Sequence, residues 1–417
     1  MAQSQNSSKD GDLYFEKPLS HWERLGAHHT VAEILQQPGL WKTTLQLVIQ
    51  QQNQLAAFLQ QAFSHDDIEI ILTGAGTSAF IGDILKGPFQ KNTGKSTYAI
   101  ATTNLITHPQ HHFHCDRPTL LVSFARSGNS PESLAAVQLA NMFCNTVYHL
   151  IITCSASGKL VLANNDRPAF VFLLPTEAND QGLAMTGSFS SMLLAGLLIS
   201  RIHQLNKLAP QVEQLSHYGN HILETYGNKL REVATLPFDR AVFLGAGPLY
   251  GTARESHLKM QELTDGKIIC KYDSFLGFRH GPKVVISPST LLVYLFSNNS
   301  YAHRYEVDLV KAINDGEKGL YRIGISESPV PTLGLDLELI LNTNNASPID
   351  EEFLAVCSIV PTQILSFFKS LECGLEPDSP SQNGSITRVV EGVTIYPLPQ
   401  VENGLENHAT SPVTNKK

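Results

Sequence analysis

The chain of 417 residues has no apolar run of bilayer length. Its purest, Met192 to Ile199, falls far short of the ~20 residues that a spanning helix needs. Charge is also scarce: 16% of residues are charged, 30 of them Lys or Arg against 38 Asp or Glu, and no basic cluster stands out. A nucleic-acid groove concentrates basic side chains, so neither nucleic acid nor a membrane is an expected partner. The six cysteines (Cys115, Cys144, Cys154, Cys270, Cys357, Cys373) are scattered without a CxxC pair. That argues against a disulfide frame or a zinc site and predicts reduced thiols in a cytoplasmic protein. The opening MAQSQNSSKDGD is polar, so no secretory core is expected there. Histidine is the one metal-binding type that clusters, at His108, His111, His112 and His114. Pro109 breaks that segment and no second cluster completes a tetrahedral set, so the reading is a solvated connecting loop with no metal.

What the chain does contain is a repeat. IEIILTGAG, from Ile68 to Gly76, resembles AVFLGAG, from Ala241 to Gly247, and Gly74 and Gly245 lie 171 residues apart. The same offset of 171 relates TLLVSFARSGNS, starting at Thr119, to TLLVYLFSNNS, starting at Thr290. It also relates LIITCS, ending at Ser155, to YRIGIS, ending at Ser326. Three matches in one register indicate a duplicated domain.

In each copy, short runs of unbroken hydrophobicity (IEIILTG, TLLVSF, HLIITC and AFVFLL in the first) alternate with helical patterns. Continuous apolar strands belong to parallel sheets buried on both faces. One helical pattern, SPESLAAVQLANMF, opens on Ser130 as cap and Pro131 at the first helical position. The expected fold class is therefore α/β, with two tandem doubly wound αβα sandwiches built on parallel sheets. The expected division is a helical extension over 1–49, a first repeat over 50–212, a second over 218–372, and a C-terminal segment over 373–417. Thr30 to Glu33 has capping-box spacing, and Leu40 to Phe63 is helical in pattern. Past ECGLEPDSPSQNGSIT, which is turn-rich, lies the short apolar segment RVVEGVTIYPL. ENGLENHATSPVTNKK reads as a disordered tail.

The glycine loops define the ligand class. Gly74 to Ala79 (GAGTSA) fits the GxGxxA form of the dinucleotide fingerprint, which needs an acidic residue ~20 positions on to hold a ribose. No Asp or Glu occurs between Ile84 and Cys115. Thr93-Gly94-Lys95-Ser96 ends like a Walker loop, but Phe89 stands where its first glycine must be. A nucleotide is thus not expected, and the remaining ligand is a smaller anion such as phosphate. Gly76, Thr77 and Ser78 start a helix, where free N–H groups favour phosphate. Arg126, Ser127, Gly128 and Ser130 offer hydroxyls and a cation at a second strand end, and Ser188 sits in a third Ser/Thr-rich turn. In open α/β sheets ligands lie beyond the carboxyl ends of the strands, where these three turns could converge.

The second copy lacks this equipment. Its glycine loop, Gly245 to Leu249, carries no hydroxyl, and its next loop is Ser297-Asn298-Asn299-Ser300. It carries instead a helix from Tyr250 to Thr264 with Glu255, Lys259 and Glu262 on one face, and a loop histidine, His280, before Gly281-Pro282. A helical carboxylate and a nearby histidine suit general acid–base work. Spacing alone equally reads Glu255 and Lys259 as a surface ion pair and His280 as a solvated loop residue.

Together GAGTS (Gly74 to Ser78), SGNS (Ser127 to Ser130), Ser188 and the run from Glu255 to Pro282 resemble the sugar isomerase (SIS) family, over about 320 residues. The last run looks like the isomerase half of glucosamine-6-phosphate synthase. That likeness implies Glu262 as proton-shuttling base and His280 as the residue assisting ring opening. Thr77, Ser78, Arg126, Ser127, Ser130 and Ser188 would hold a phosphosugar. The synthase's glutaminase half needs an N-terminal cysteine, whereas Cys115 is the first here, so the deaminating direction is expected. The synthase's C-terminal lysine has Arg388 as its nearest candidate, and an arginine does not readily donate a proton. Over the whole chain the likeness is to AgaS-type galactosamine-6-phosphate deaminase/isomerases. It implies galactosamine 6-phosphate turned to tagatose 6-phosphate and ammonia without a cofactor, in a homodimer or higher homo-oligomer with shared sites. An aldose–ketose isomerase releasing no ammonia, or a phosphosugar sensor without catalysis, remain the alternatives.

Overall fold

The computed structural model describes residues 13–163, 167–330, 333–390 and 392–398. The tail expected to be disordered, from Glu402 on, lies outside the described residues. Two five-stranded parallel sheets carry the fold. In the first, β1 (Glu69–Thr73), β2 (Thr97–Ala99), β3 (Thr119–Ala125), β4 (Val147–Thr153) and β5 (Ala169–Leu173) take the order β2-β1-β3-β4-β5. In the second, β6 (Arg240–Gly245), β7 (Ile269–Asp273), β8 (Thr290–Leu295), β9 (Tyr321–Ser326) and β10 (Leu337–Ile340) repeat it as β7-β6-β8-β9-β10. The doubly wound α/β class read from the alternating pattern is what the chain adopts.

Strand placement explains the hydropathy. Every residue of β1, β3 and β4 is buried, as expected for strands covered on both faces. The expected burial of AFVFLL is not found: among the described residues β5 pairs only with β4, and it keeps one fully buried residue, Phe172. An edge strand has one neighbour, so continuous hydrophobicity did not distinguish it from an interior strand.

The helices that matter here are, in chain order, α1 (His28–Leu35), α2 (Gln37–Gln50), α3 (Gln52–Phe63), α4 (Thr77–Thr93), α5 (Pro131–Phe143), α6 (Gly187–Ser200), α7 (Leu205–His221), α8 (Pro248–Leu263), α9 (Ser300–Asn314), α10 (Glu351–Cys357) and α11 (Val360–Glu372). One core spans both repeats, joining Ile70 and Leu120 of the first sheet to Leu291 and Val293 of the second. Two smaller cores line the outer faces, one per repeat. Helix α6 is buried from Gly187 to Ile199 and packs on α2, where Trp41 donates to the Ser190 hydroxyl at 3.0 Å. Against the expectation of no bilayer-length run, the helical stretch Glu351–Glu372 is long and apolar enough to cross a membrane, because scattered polar residues interrupt it without lowering its mean hydropathy much, but 94% of its apolar window is buried in the fold.

Helices α4 and α8, each following the first strand of its repeat, pack directly on one another. A side chain at Gly251 of α8 would meet the Ile84 backbone nitrogen at 2.9 Å, so glycine sets how closely they cross. The crossing brings the first repeat's glycine loop onto the helix face that carries Glu255, Lys259 and Glu262.

Thr30 and Glu33 do not form the expected capping box. Helix α1 begins at His28, and the cap comes from Asp378, whose carboxylate accepts from His29 N at 3.1 Å, Thr30 N at 2.7 Å and the Thr30 hydroxyl at 2.7 Å. Glu33 points away and accepts from the backbone of Gln181 and Gly182. Burial, reinforced by the Asp180 charge, pushes Glu33 from 4.5 up to about 8. The folded protein therefore retains a proton that the unfolded chain loses, and stability from this group falls as pH rises from about 4.5 to about 8. Glu33→Gln is expected to reduce the fall in Tm across that window, while an unchanged slope would show that Glu33 does not couple folding to pH.

Candidate active site

Gly76 ends the first glycine loop at φ +55°, and Gly247 ends the second at φ +53°. This left-handed backbone suits glycine, and it aims the next residues into the first turns of α4 and α8. In α4 these are Thr77 and Ser78, both buried. The Thr77 hydroxyl donates across the helix crossing to Glu255 at 3.2 Å. Ser78 lies beside Met185 at 4.0 Å.

On α8, Glu255, Lys259 and Glu262 share one face as their spacing predicts, but the surface ion pair expected from Glu255 and Lys259 is not one. Both side chains are completely buried, because the α4 crossing covers them. The Lys259 ammonium stands 3.4 Å from Glu255 and makes a short hydrogen bond to Glu262, whose side chain stays 24% exposed. Burial pushes Glu255 up to about 8 despite the neighbouring Lys259. Burial works to lower Lys259, yet the two carboxylates outweigh it and hold the ammonium above its ordinary value. The result is a polar chain, Thr77–Glu255–Lys259–Glu262, running from the first repeat's loop to a carboxylate that water can reach.

The second turn forms the wall of a cavity of about 110 Å³, lined among others by Ser78, Arg126, Ser127, Gly128, Ser130 and Arg388. That is several times the ~10–15 Å³ that one water needs, a phosphate-sized space. Ser130 caps α5 as its sequence predicts, accepting from Ser133 N at 3.1 Å. Gly128, at φ +64°, turns the loop. Arg126 lines the cavity, but its guanidinium already donates to the carbonyls of Gly182 (3.1 Å), Leu183 (3.2 Å) and Arg388. It therefore braces the wall as well as facing the space.

The third turn departs from expectation. Ser188 does not line the cavity: its hydroxyl donates to Asp180 at 2.5 Å, in a fully buried setting. Asp180 also accepts from the backbone N–H groups of Thr186 (2.8 Å), Gly187 (3.1 Å) and Ser188 (2.9 Å). The N-terminus of α6 is an anion site, as the turn suggested, but an internal carboxylate fills it. Ser188 shapes the site from behind.

The structure places three residues of the C-terminal segment at this cavity. Arg388 donates to the Asp180 carbonyl and to Asn179 Oδ1 at 3.0 Å, and Val389 and Val390 close the cavity beside it. The apolar character of RVVEGVTIYPL was the sequence signal, without any indication of where it docks. His280 lies outside that lining, exposed on the loop after Phe278. The loop at His108 to His114 contains a short helical turn in which the His108 and His111 rings stack at 5.1 Å.

Twin doubly wound sheets, with a cavity at the strand ends of one and a buried charged cluster on the facing helix of the other, define a tandem α/β sandwich protein with its polar cluster at the repeat junction. The SIS domain model matches residues 63–200. The chain is 39% identical over 370 residues to D-galactosamine-6-phosphate deaminase AgaS of Escherichia coli, covering 88% of this chain and 95% of that protein. The chain therefore belongs to the AgaS family of SIS proteins. Its fold matches the crystal structure of tagatose-6-phosphate ketose/aldose isomerase from Escherichia coli at a TM-score of 0.82 and 37% identity, over 89% of this chain and 97% of that one. The C-terminal domain of glucosamine-fructose-6-phosphate aminotransferase from Francisella tularensis shares the fold at a TM-score of 0.71 and 18% identity, over 84% and 98% of the two chains.

Proposed function

We propose that this protein is a cytoplasmic amino-sugar phosphate deaminase/isomerase that converts galactosamine 6-phosphate to tagatose 6-phosphate and ammonium. The observation that carries the reading is the chain of contacts from Thr77 through Glu255 and Lys259 to Glu262, set beside a phosphate-sized cavity. The likeness to a relative named for this reaction supports it. The repeat over 50–212 holds the substrate, through the loops at Gly76 to Ser78 and Arg126 to Ser130, and the repeat over 218–372 supplies the chemistry.

In this reading His280 assists ring opening to the aldehyde. Its exposure fits service to a neighbouring subunit of a homodimer. Glu262 removes the C2 proton, giving a C1–C2 enolamine. Returning the proton to C1 produces an imine at C2, and water hydrolyses it to the ketose and ammonium. Lys259 holds the Glu262 carboxylate in place while its exposed part faces the sugar. Anchoring the unreactive phosphate converts an encounter into a positioned reaction.

Ammonium release from galactosamine 6-phosphate and glucosamine 6-phosphate, with a chelator present and ketose phosphate assayed in the same tubes, tests the proposal. Ammonium matched by ketose from the galacto epimer alone is expected. The likeness to a structure named as a ketose/aldose isomerase favours a second reading, in which ketose and aldose phosphates interconvert without ammonium. Absence of ammonium with turnover of tagatose 6-phosphate would select it. Ser127→Ala should raise KM for the phosphosugar roughly 10- to 100-fold with kcat little changed, since a hydrogen bond to a charged group contributes ~1.5–3 kcal/mol. An unchanged KM would remove Ser127 from the phosphate's partners.

A further inference from the structure

The duplicated counterpart of the first glycine loop opens on a much larger cavity, about 660 Å³, lined by Ala246, Gly247, Tyr250, Ser274, Phe275, Leu276, Tyr301, Ala302, Tyr305 and Glu306. Its chemistry is inverted relative to the first repeat. Among the described residues, no Lys or Arg lines it. Where the first repeat places Arg126, the same register in the second places Ser297, whose backbone N–H donates to Glu306 at 2.9 Å and whose hydroxyl donates to Glu351. Glu306 is completely buried, and its Oε1 has no hydrogen-bond partner among the described residues. The nearest cationic candidate, His303 Nδ1, stands 3.4 Å from the other oxygen, Oε2. A buried carboxylate oxygen left without a partner is costly unless something supplies a donor. Three tyrosine rings ring the opening, 37% to 67% exposed, with the Tyr305 hydroxyl donating to Tyr301 at 2.8 Å.

Aromatic faces and a desolvated carboxylate are complementary to a cation whose carbon skeleton presents C–H groups to the rings. We infer that the second repeat's cavity is a binding site for a small organic cation carrying a primary ammonium group, with Glu306 as its charge partner and Tyr250, Tyr301 and Tyr305 as its walls. The ammonium donates to the free Glu306 oxygen while its carbon skeleton packs on the rings. The site shares no lining residue with the smaller cavity of the first repeat and does not depend on the reaction proposed there.

The test is calorimetric titration of the full-length protein with galactosamine, which is an amine without phosphate, and with N-acetylgalactosamine, its neutral counterpart. Galactosamine is expected to bind and N-acetylgalactosamine to bind at least tenfold more weakly. Glu306→Gln should weaken galactosamine binding at least tenfold while ammonium release from galactosamine 6-phosphate is unchanged. Because a buried substitution can impair folding, Tyr301→Ala, at the exposed rim, provides a second reading and should weaken binding severalfold. Equal affinity for the two sugars, or binding unaffected by both substitutions, would overturn the inference. So would a dimer that dissociates on Tyr301→Ala in a protein binding no amine, since the cavity would then belong to a second copy of the chain.

Discussion

Glu262→Gln is expected to lower kcat for ammonium release by roughly 10²- to 10⁴-fold, the range that a positioned acid or base contributes, while phosphosugar affinity stays within a few fold. The amide keeps the size of the side chain and can still meet the Lys259 ammonium through its oxygen, so the fold at the helix crossing is preserved. What disappears is the capacity to accept the C2 proton. Because Glu262 is not part of the phosphate cavity, binding and chemistry should separate cleanly. Calorimetric titration with the substrate and a rate assay on the same preparation check both halves. A folded variant that loses affinity but retains kcat would reassign Glu262 to substrate holding and leave the proton transfer without an owner.

The second large effect concerns stability. Lys259→Met should destabilise the protein by about 3–5 kcal/mol, the usual result of removing one partner from a buried ion pair. The methionine fills much of the same volume, so the loss is mainly electrostatic: Glu255, wholly buried, would face Glu262 with no cation between them. The penalty should grow with pH. Burial already favours the protonated form of Glu255, so at pH 6 the variant can keep that carboxyl neutral, whereas at pH 9 it must ionise or unfold. Urea midpoints at the two values measure the difference, and adding Glu255→Leu should recover part of the loss. An unaltered midpoint would mean that the cluster is better hydrated than its burial implies.

These two side chains also mark what the sequence revealed and what it did not. The repeat, the strand runs and the helix face of Glu255, Lys259 and Glu262 were all legible, because periodicity and glycine spacing are local properties. Burial of that face was not, since it depends on Gly251 letting α8 approach α4 across the repeat boundary. Ser188 lies behind the cavity wall for a related reason. Its turn does bind an anion, but Asp180, eight positions earlier, is the anion, and no local pattern distinguishes an internal carboxylate from a ligand. The Asp378 cap on α1 bridges 348 residues to Thr30, well beyond the reach of any capping rule read along the chain.

The docking of Arg388 has a consequence for how the protein is made. Arg126 is joined to the Arg388 carbonyl across 262 residues of sequence, and residues 388–390 form one wall of the phosphate-sized cavity. Chains emerge from the ribosome at ~5–20 residues per second, so the segment that closes this cavity arrives well after both sheets have been synthesised. A nascent chain can assemble its strands, cross α4 over α8 and bury the Lys259 cluster while one wall of the cavity is still missing. Completion of the pocket thus follows the synthesis of both sheets and waits on residues 388–390.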